Sequence, residues 1–428
     1  MQRIIYSVIF TLALPIILIR LLIRSVKAPD YRRRIGERLA LKSPSCDFDS
    51  SKLTLWIHAV SVGETVAAAP LIFALTRNHP ELQIVVTTMT PTGSDRVRAL
   101  FGDKVFHSYI PYDLPGTTNR FLQNYKPVLL ILMETELWPN LIHSCNNKAV
   151  KIVLANARLS EKSARGYSRF SSFTKSVLQK IDVIAAQAKA DADRFVKLGA
   201  ASANVKVTGS LKFNLNIEPR EKNQALFFSG LVSLDRSIVM AASTREGEEE
   251  KVLSAFAQCL KTEPSLLLVL VPRHPERFAS VTRLCEERGF RFSRRSEDRQ
   301  VDPDVQVVIG DSMGEMQDYY GAADIAFVGG SLVNTGCQNV LEPAAMAIPV
   351  IVGPSQYNFA TICKQLEQAG GLKTVQDEAQ LAELILQLLA DRMALQKMGA
   401  QGKALVAANQ NALPALLKIV EPLIQTDA

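Results

Sequence analysis

Acids, arginines and a lysine stand just after short apolar runs along this chain, at the ends of expected strands. Leu53–Ile57 leads into His58-Ala59-Val60-Ser61-Val62-Gly63-Glu64-Thr65 and then an alanine-rich stretch. Gly63 permits a tight turn, and Glu64 falls at a helix start, where the dipole favours a carboxylate. Such a group is either helix-terminal charge, worth about 0.3–1 kcal/mol, or a general base at a strand end. Met133-Glu134-Thr135-Glu136 follows a second apolar run, where two acids need solvent or partners. Trp138-Pro139 opens the next helix, so capping is the alternative for these acids. In Thr208-Gly209-Ser210-Leu211-Lys212-Phe213, Lys212 either faces a cleft or is solvated surface.

The second half repeats the arrangement. Ala242-Ser243-Thr244-Arg245-Glu246-Gly247-Glu248-Glu249 places an arginine beside an expected helix start, a reasonable anion site. Pro272-Arg273-His274-Pro275, Gly310-Asp311-Ser312-Met313-Gly314-Glu315 and Gly329-Gly330-Ser331 each end an expected strand. Asn334-Thr335-Gly336-Cys337-Gln338-Asn339-Val340-Leu341-Glu342-Pro343 follows. Each alone is turn chemistry; together they point to a phosphorylated ligand. Neither a G-x-G-x-x-G fingerprint nor a Walker loop occurs, and Asp302-Pro303-Asp304 reads as a turn, not a metal site.

The elements that must position these loops follow from the pattern. Strands are expected at 53–57, 83–88, 128–133, 151–155, 183–186 and 205–208. After a polar, proline-containing stretch (Asn214, Asn216, Glu218, Pro219, Arg220) they resume at 237–242, 266–271, 305–309, 325–328 and 350–352. Helices are expected between them, among them one continuous helix over 163–180 and others at 246–261, 314–320 and 339–346. Continuous rather than alternating apolar runs, separated by helices, mark parallel sheets buried on both faces. The expectation is an α/β chain of two doubly wound domains with a ligand cleft between them.

The chain has 428 residues, 47% of them hydrophobic and 21% charged, which suits folded domains and excludes disorder and a polytopic membrane protein. Six scattered cysteines without a CxxC pair argue for free thiols in a reducing compartment. The net charge of +7 is concentrated between Arg20 and Lys42, which hold eight basic residues against two acids. A charge so local excludes a general nucleic-acid-binding surface. Before it lies Ile4–Ile23, apolar except for Ser7, Thr11 and Arg20 and long enough for a bilayer core of about 30 Å. The expectation is a membrane anchor, spanning or half-embedded, with a cytoplasmic body and Arg32, Arg33 and Arg34 near anionic head groups; the alternative is a hydrophobic helix packed on the protein's own surface.

The ordered motifs HAVSVGE, METELWPN, ANARLS, TGSLKF, STREGEEE, PRHPERF, GDSMGE and NVLEPAA resemble the 3-deoxy-D-manno-octulosonic acid (Kdo) transferase family of lipid A biosynthesis. The resemblance covers nearly the whole chain and implies a GT-B fold, two Rossmann-like domains facing a cleft. It divides the chain into an anchor helix at 1–27, an acceptor domain at 28–215, a CMP-sugar domain at 222–405 and a returning C-terminal helix at 406–428. It implies an inverting enzyme at the cytoplasmic face of a Gram-negative inner membrane, moving Kdo from CMP-Kdo to lipid IVA and releasing CMP. CMP-Kdo is then a substrate, with no cofactor, metal, nucleic acid or obligate protein partner expected. Glu64 matches the family's base, and Glu134 and Lys212 its transition-state stabilisers. Arg245, Pro272, Arg273, Met313, Gly314, Glu315, Asn339, Val340, Leu341 and Glu342 match its donor segments. Arg32, Arg33 and Arg34 are assigned to acceptor and membrane. Many members have Gly-Gly-His-Asn where this chain has Gly336-Cys337-Gln338-Asn339; Gln338 hydrogen-bonds but does not titrate in this range. The alternatives are a GT-B enzyme using another nucleotide sugar, such as a UDP-sugar transferase or epimerase, and a non-enzymatic membrane-surface binding protein.

Overall fold

Apolar strands fully buried on both faces need helices above and below, and two such sheets account for most of the chain. The computed structural model describes residues 2–215, 217, 236–297 and 301–424. Of the expected linker, Asn216, Glu218, Pro219 and Arg220 lie outside the described residues. The chain divides into two units, Met1–Asn214 with Gln410–Ala428, and Leu215–Asn409. The helix Arg392–Asn409 thus runs through the boundary expected at 405, and the division comes after it.

The first unit holds one parallel sheet of β1 (Thr54–His58), β2 (Gln83–Thr88), β3 (Phe106–Tyr109), β4 (Pro127–Met133), β5 (Lys151–Ala157), β6 (Val183–Ala186) and β7 (Val205–Val207). Their spatial order is β3-β2-β1-β4-β5-β6-β7. The order reverses between β1 and β4, where His58 lies level with Leu132. Alternate side chains of β1 serve opposite faces: Leu55 and Ile57 join one core, Trp56 the other. The last helix, Ala412–Ile424, belongs to this unit. It inserts Ala412, Leu416, Val420 and Ile424, four residues apart, into the Leu55–Ile57 core.

The second unit holds β8 (Ile238–Thr244), β9 (Leu267–Pro272), β10 (Phe292–Arg294), β11 (Val307–Ile309), β12 (Ile325–Val328), β13 (Val350–Val352) and β14 (Leu372–Thr374). The order is β10-β11-β9-β8-β12-β13-β14, all parallel, with the reversal between β8 and β12. In doubly wound sheets, ligands gather beyond the carboxyl ends at such reversals.

Two expectations about elements are corrected. The continuous helix over 163–180 is two helices, Glu161–Ser168 and Ser171–Leu178. The chain turns at Arg169 and Phe170, and Tyr167 O accepts from the Thr174 hydroxyl. The helix expected from Gly314 starts at Met316, because Gly314 takes φ +90° and holds the chain in a turn.

Candidate functional site

In the first unit the loops after β1 and β4, the two strands at the reversal, carry the acids. Glu64 is the third residue of the helix Val62–Asn78, whose cap is Ser61. Its Oε2 accepts the Val60 N–H at 2.7 Å, Ser61 Oγ donates to its Oε1 at 3.1 Å, and its own N–H donates to Ser61 Oγ at 3.3 Å. This is a capping-box arrangement in which the carboxyl takes the N–H of the residue before the cap, so the helix-terminal reading of Glu64 is realised in the geometry. The same carboxyl is unusual in its protonation. Burial lifts it to about 7 and the charge of Glu134 adds to this, against the pull of the Val60 amide and Lys212.

Glu134 occupies a left-handed backbone position (φ 58°) immediately after β4, its N–H donating to Ala155 O on β5. Its Oε1 lies 3.8 Å from Lys212 Nζ, so the structure brings these two sequence-predicted residues together. Lys212 is placed by a short turn, Leu211–Phe213, whose flanking side chains are buried and whose Leu211 N–H donates to Asn156 Oδ1. Burying its neighbours leaves Lys212 the side chain that points away from the core.

Glu136 belongs with these groups and was passed over in the sequence except as part of its motif. Burial, then the charge of Glu64, raises its carboxyl to about 7 as well. Two carboxyls that repel each other and both titrate near neutrality share the titration rather than ionising independently. The available signal was the bare Glu-x-Glu spacing after a strand, which does not say which acid turns inward. Beneath them His58 is wholly buried and held neutral, its pKa lowered by burial to about 4, with Nδ1 3.0 Å from Thr87 Oγ1.

The second unit has a pocket of about 280 Å³ whose lining includes Pro272, Arg273, Met313, Gly314, Asn339 and Glu342. Six sequence-predicted donor residues from three loops therefore meet in one cavity. Gln338 and Ser243 line it too. Asn339 Nδ2 donates to Glu342 Oε1 at 2.9 Å, and Asn339 Oδ1 accepts the Leu341 N–H at 3.1 Å. Glu342 is raised by burial, opposed by Asn339 and by the charge of Arg273.

Other expected donor residues are placed differently. Val340 and Leu341 are core side chains. Glu315 caps the helix Met316–Ala322 and is engaged by Arg295 at 3.1 Å and by Ser312 Oγ. These hydrogen bonds outweigh burial and hold its carboxyl below the usual range. Arg245 is half-buried and points its Nη1 at His274 Nε2 across 2.5 Å.

The helix start beside Arg245 is not the open anion site expected from its sequence. The helix begins at Glu249, with Glu248 as its cap and Glu249 and Glu250 in its first turn, so acids already occupy it. Glu248, fully buried, accepts N–H groups from Gly330 at 2.6 Å, Ser331 at 2.9 Å, Leu332 at 2.8 Å and Arg245 at 3.1 Å. The amide nest after β12 is therefore filled by the protein's own carboxylate, and a ligand phosphate has to be met elsewhere. Gly330, at φ +77°, is required there: a Cβ would strike the Gly336 carbonyl oxygen.

The three basic residues after the N-terminal helix separate. Arg32 and Arg33 are exposed, with Arg33 2.7 Å from Asp30. Arg34 is turned inward: its guanidinium pairs with Glu37 at 2.7 Å, donates to Ser94 Oγ at 2.9 Å and lies over the Tyr109 ring. Packing against the sheet, not head-group contact, fixes it.

Comparison with known proteins follows this division. Residues 33–215 match the family model described as 3-Deoxy-D-manno-octulosonic-acid transferase (kdotransferase), and residues 237–405 that of Glycosyl transferases group 1. A 3-deoxy-D-manno-octulosonic acid transferase of Haemophilus influenzae is 40% identical over 427 residues, covering 99% of each chain. Its counterpart from Bordetella pertussis is 35% identical over 376 residues, 86% of each chain. Among solved structures, a UDP-GlcNAc 2-epimerase from Neisseria meningitidis bound to UDP-GlcNAc superposes with a TM-score of 0.57 at 14% identity. It covers 86% of this chain and 100% of that one, a likeness of fold alone.

Proposed function

We propose, for a chain that belongs to the 3-deoxy-D-manno-octulosonic acid (Kdo) transferase family, that Glu64 is the base of the transfer and that lipid IVA is the acceptor. The chain is a glycosyltransferase of lipopolysaccharide biosynthesis with two parallel-sheet domains of the GT-B type, and its sugar donor is CMP-Kdo. The observation that carries the base assignment is the Glu64 carboxyl, half-buried at the sheet reversal and lifted by burial to about 7. A carboxylate of that basicity takes a proton from an acceptor hydroxyl far better than an ordinary surface glutamate. The hydroxyl oxygen bonds to the anomeric carbon of Kdo from the side opposite the phosphate. The anomeric C–O bond breaks, CMP leaves with the electron pair, and Glu64 holds the proton. Lys212, 3.8 Å from Glu134, offsets the negative charge that these steps gather.

On the donor side, Glu342 accepts from the ribose hydroxyls and Arg273, which lines the pocket with it, meets the phosphate. A guanidinium at the phosphate makes the reading independent of a metal ion. The chain works on the cytoplasmic face of the inner membrane, where an acylated acceptor keeps its chains in the bilayer.

The test is transfer from freshly generated CMP-Kdo to lipid IVA, read by product mass. Product mass rises by one or more Kdo units, equally with or without EDTA; a rate lost to EDTA would remove the metal-free reading. No product with CMP still binding would remove the acceptor.

The paired carboxyls set the pH dependence. A base must be ionised, so kcat/KM rises with pH through about 7 and is lost below it. Glu134→Gln removes the like charge that raises the Glu64 carboxyl, so the rising limb moves to lower pH. A pH–rate profile of the two proteins checks the shift; an unmoved limb would separate Glu134 from the base.

A further inference from the structure

Five of the six cysteines are buried, and two of these touch. Cys337 Sγ lies 3.7 Å from Cys363 Sγ, a thiol–thiol hydrogen bond between two residues fully closed to solvent. Cys337 stands in the segment that joins β12 to the helix Leu341–Ala345. Its next neighbours in the chain, Gln338 and Asn339, line the pocket of the second unit. Cys363 belongs to the helix Ala360–Gln368, which Phe359 caps. The dithiol therefore links the wall of the pocket to a neighbouring helix.

The two thiols are not equivalent. The hydrogen bond from Cys363 holds the Cys337 thiol below its usual range, helped by the Phe359 backbone and opposed by burial. The same bond, then burial, pushes the Cys363 thiol up. Cys337 is thus the nucleophile, and Cys363 keeps its proton. Burial pushes Cys259 up to about 11 and Cys285 to about 12, which leaves those two thiols inert.

The backbone around Cys337 passes on any movement of its sulfur. Cys337 N–H donates to Ser355 O at 2.8 Å, Gly336 N–H to Ser355 Oγ at 3.1 Å and Gln338 N–H to Gly329 O at 3.0 Å. Cys363 is held more firmly, in a helix that buries Ile362 and Leu366 beside it. To bond, the sulfurs close by about 1.7 Å. That displacement falls on the irregular segment rather than on the helix, and so on Gln338 and Asn339. Hydrogen peroxide, barely larger than water, reaches a thiol one residue from the pocket through local opening of this segment.

We propose that Cys337 and Cys363 are an oxidation site, which hydrogen peroxide closes into a disulfide that weakens donor binding in the adjoining pocket. The Cys337 thiolate attacks one peroxide oxygen, the O–O bond breaks, and hydroxide leaves as water with the proton of Cys363. The Cys363 thiolate then attacks the Cys337 sulfur and the S–O bond breaks. The second hydroxide leaves as water with the proton that Cys337 had shed. Both thiols are oxidised, peroxide is reduced to water, and a dithiol reductant reverses the bond. The inference rests on the donor reading of this pocket in the preceding section. Coupling of this kind is reciprocal: the factor by which the disulfide lowers CMP affinity is the factor by which bound CMP disfavours the disulfide.

The test uses the full chain carrying Cys46→Ser, which removes the exposed thiol, with CMP as the probe. Peroxide is expected to consume two of the five remaining thiols and to link the peptides that hold Cys337 and Cys363, read by mass. The Kd for CMP rises at least about fivefold, and dithiothreitol restores it. In mixtures of oxidised and reduced dithiothreitol, saturating CMP lowers the ratio of linked to free chain by the same factor. Thiols that stay free in the folded chain, while peroxide oxidises them in urea, overturn the site. A linked chain that binds CMP as well as the reduced one overturns the effect on the donor. A loss that dithiothreitol does not restore is oxidation of Met313, exposed in the pocket wall, and overturns it too. A reduced chain that binds no CMP overturns the donor reading of the pocket, and the inference with it.

Discussion

Glu64→Gln lowers the rate of Kdo transfer by about 10²–10⁴-fold while CMP affinity stays within about twofold. The asymmetry follows from placement. Glu64 belongs to the first unit, at the carboxyl end of β1, whereas the pocket lined by Arg273, Asn339 and Glu342 belongs to the second. Glutamine preserves one oxygen for the Val60 N–H, so the capping box survives in part and the helix start is not undone. What it removes is the basicity of a carboxyl raised to about 7. Glu64→Ala adds the loss of the cap, about 1 kcal/mol, and serves as the harsher comparison. Single-turnover transfer and CMP titration on the same preparations check both halves. Near-normal turnover of the glutamine variant would remove Glu64 as the base, and loss of CMP affinity would show damage reaching the second unit.

Glu248→Ala is expected to have the largest effect on stability. Four N–H groups, from Arg245, Gly330, Ser331 and Leu332, lose their acceptor at once in a region closed to solvent. Each unsatisfied buried group costs about 1–3 kcal/mol, and the whole stability of a domain is about 5–15 kcal/mol. The second unit is expected to melt on the order of 10 °C lower, at about 2–4 °C per kcal/mol. The charge itself is not what stabilises: burial raises the Glu248 carboxyl despite the four amides. The acceptor oxygens are what matter, so Glu248→Gln, which turns an NH₂ toward N–H donors, falls well short of rescue. Calorimetry of the three proteins checks this, and an alanine variant melting within about 2 °C of the parent would show that the loops repack around water.

The strands were legible where burial on both faces leaves an unbroken apolar run, as in β6, β12 and β13, whose ends match the expected ones residue for residue. The edge strands β3, β10 and β14 were not. Phe106-His107-Ser108-Tyr109 is half polar, and β10 and β14 have three residues each, so neighbours rather than composition make them strands. In the first unit the Glu64–Glu134–Lys212 group was legible as three strand ends, because a parallel sheet turns sequence order into a shared edge. Side-chain direction was not. Nothing in Arg32-Arg33-Arg34 marks Arg34 as the residue folded over Tyr109, and nothing in Glu246-Gly247-Glu248-Glu249-Glu250 marks Glu248 as the acid that fills the nest after β12. Those assignments depend on contacts made across 75 residues or more of chain.

The return of Ala412–Ile424 to the first unit bears on how the protein is made. Leu55, Ile57 and Leu129 share their core with Ala412, Leu416, Val420 and Ile424, so the first sheet's core is incomplete until the helix over 412–424 is synthesised. About 200 residues of the second unit emerge in between, a delay of roughly 10–40 s at ordinary elongation rates. Throughout that interval an apolar sheet face stands open. Nascent chains are thus exposed to chaperones and proteases longer than their domain size suggests, and a stop a few codons early would cost the first-made domain, not the last.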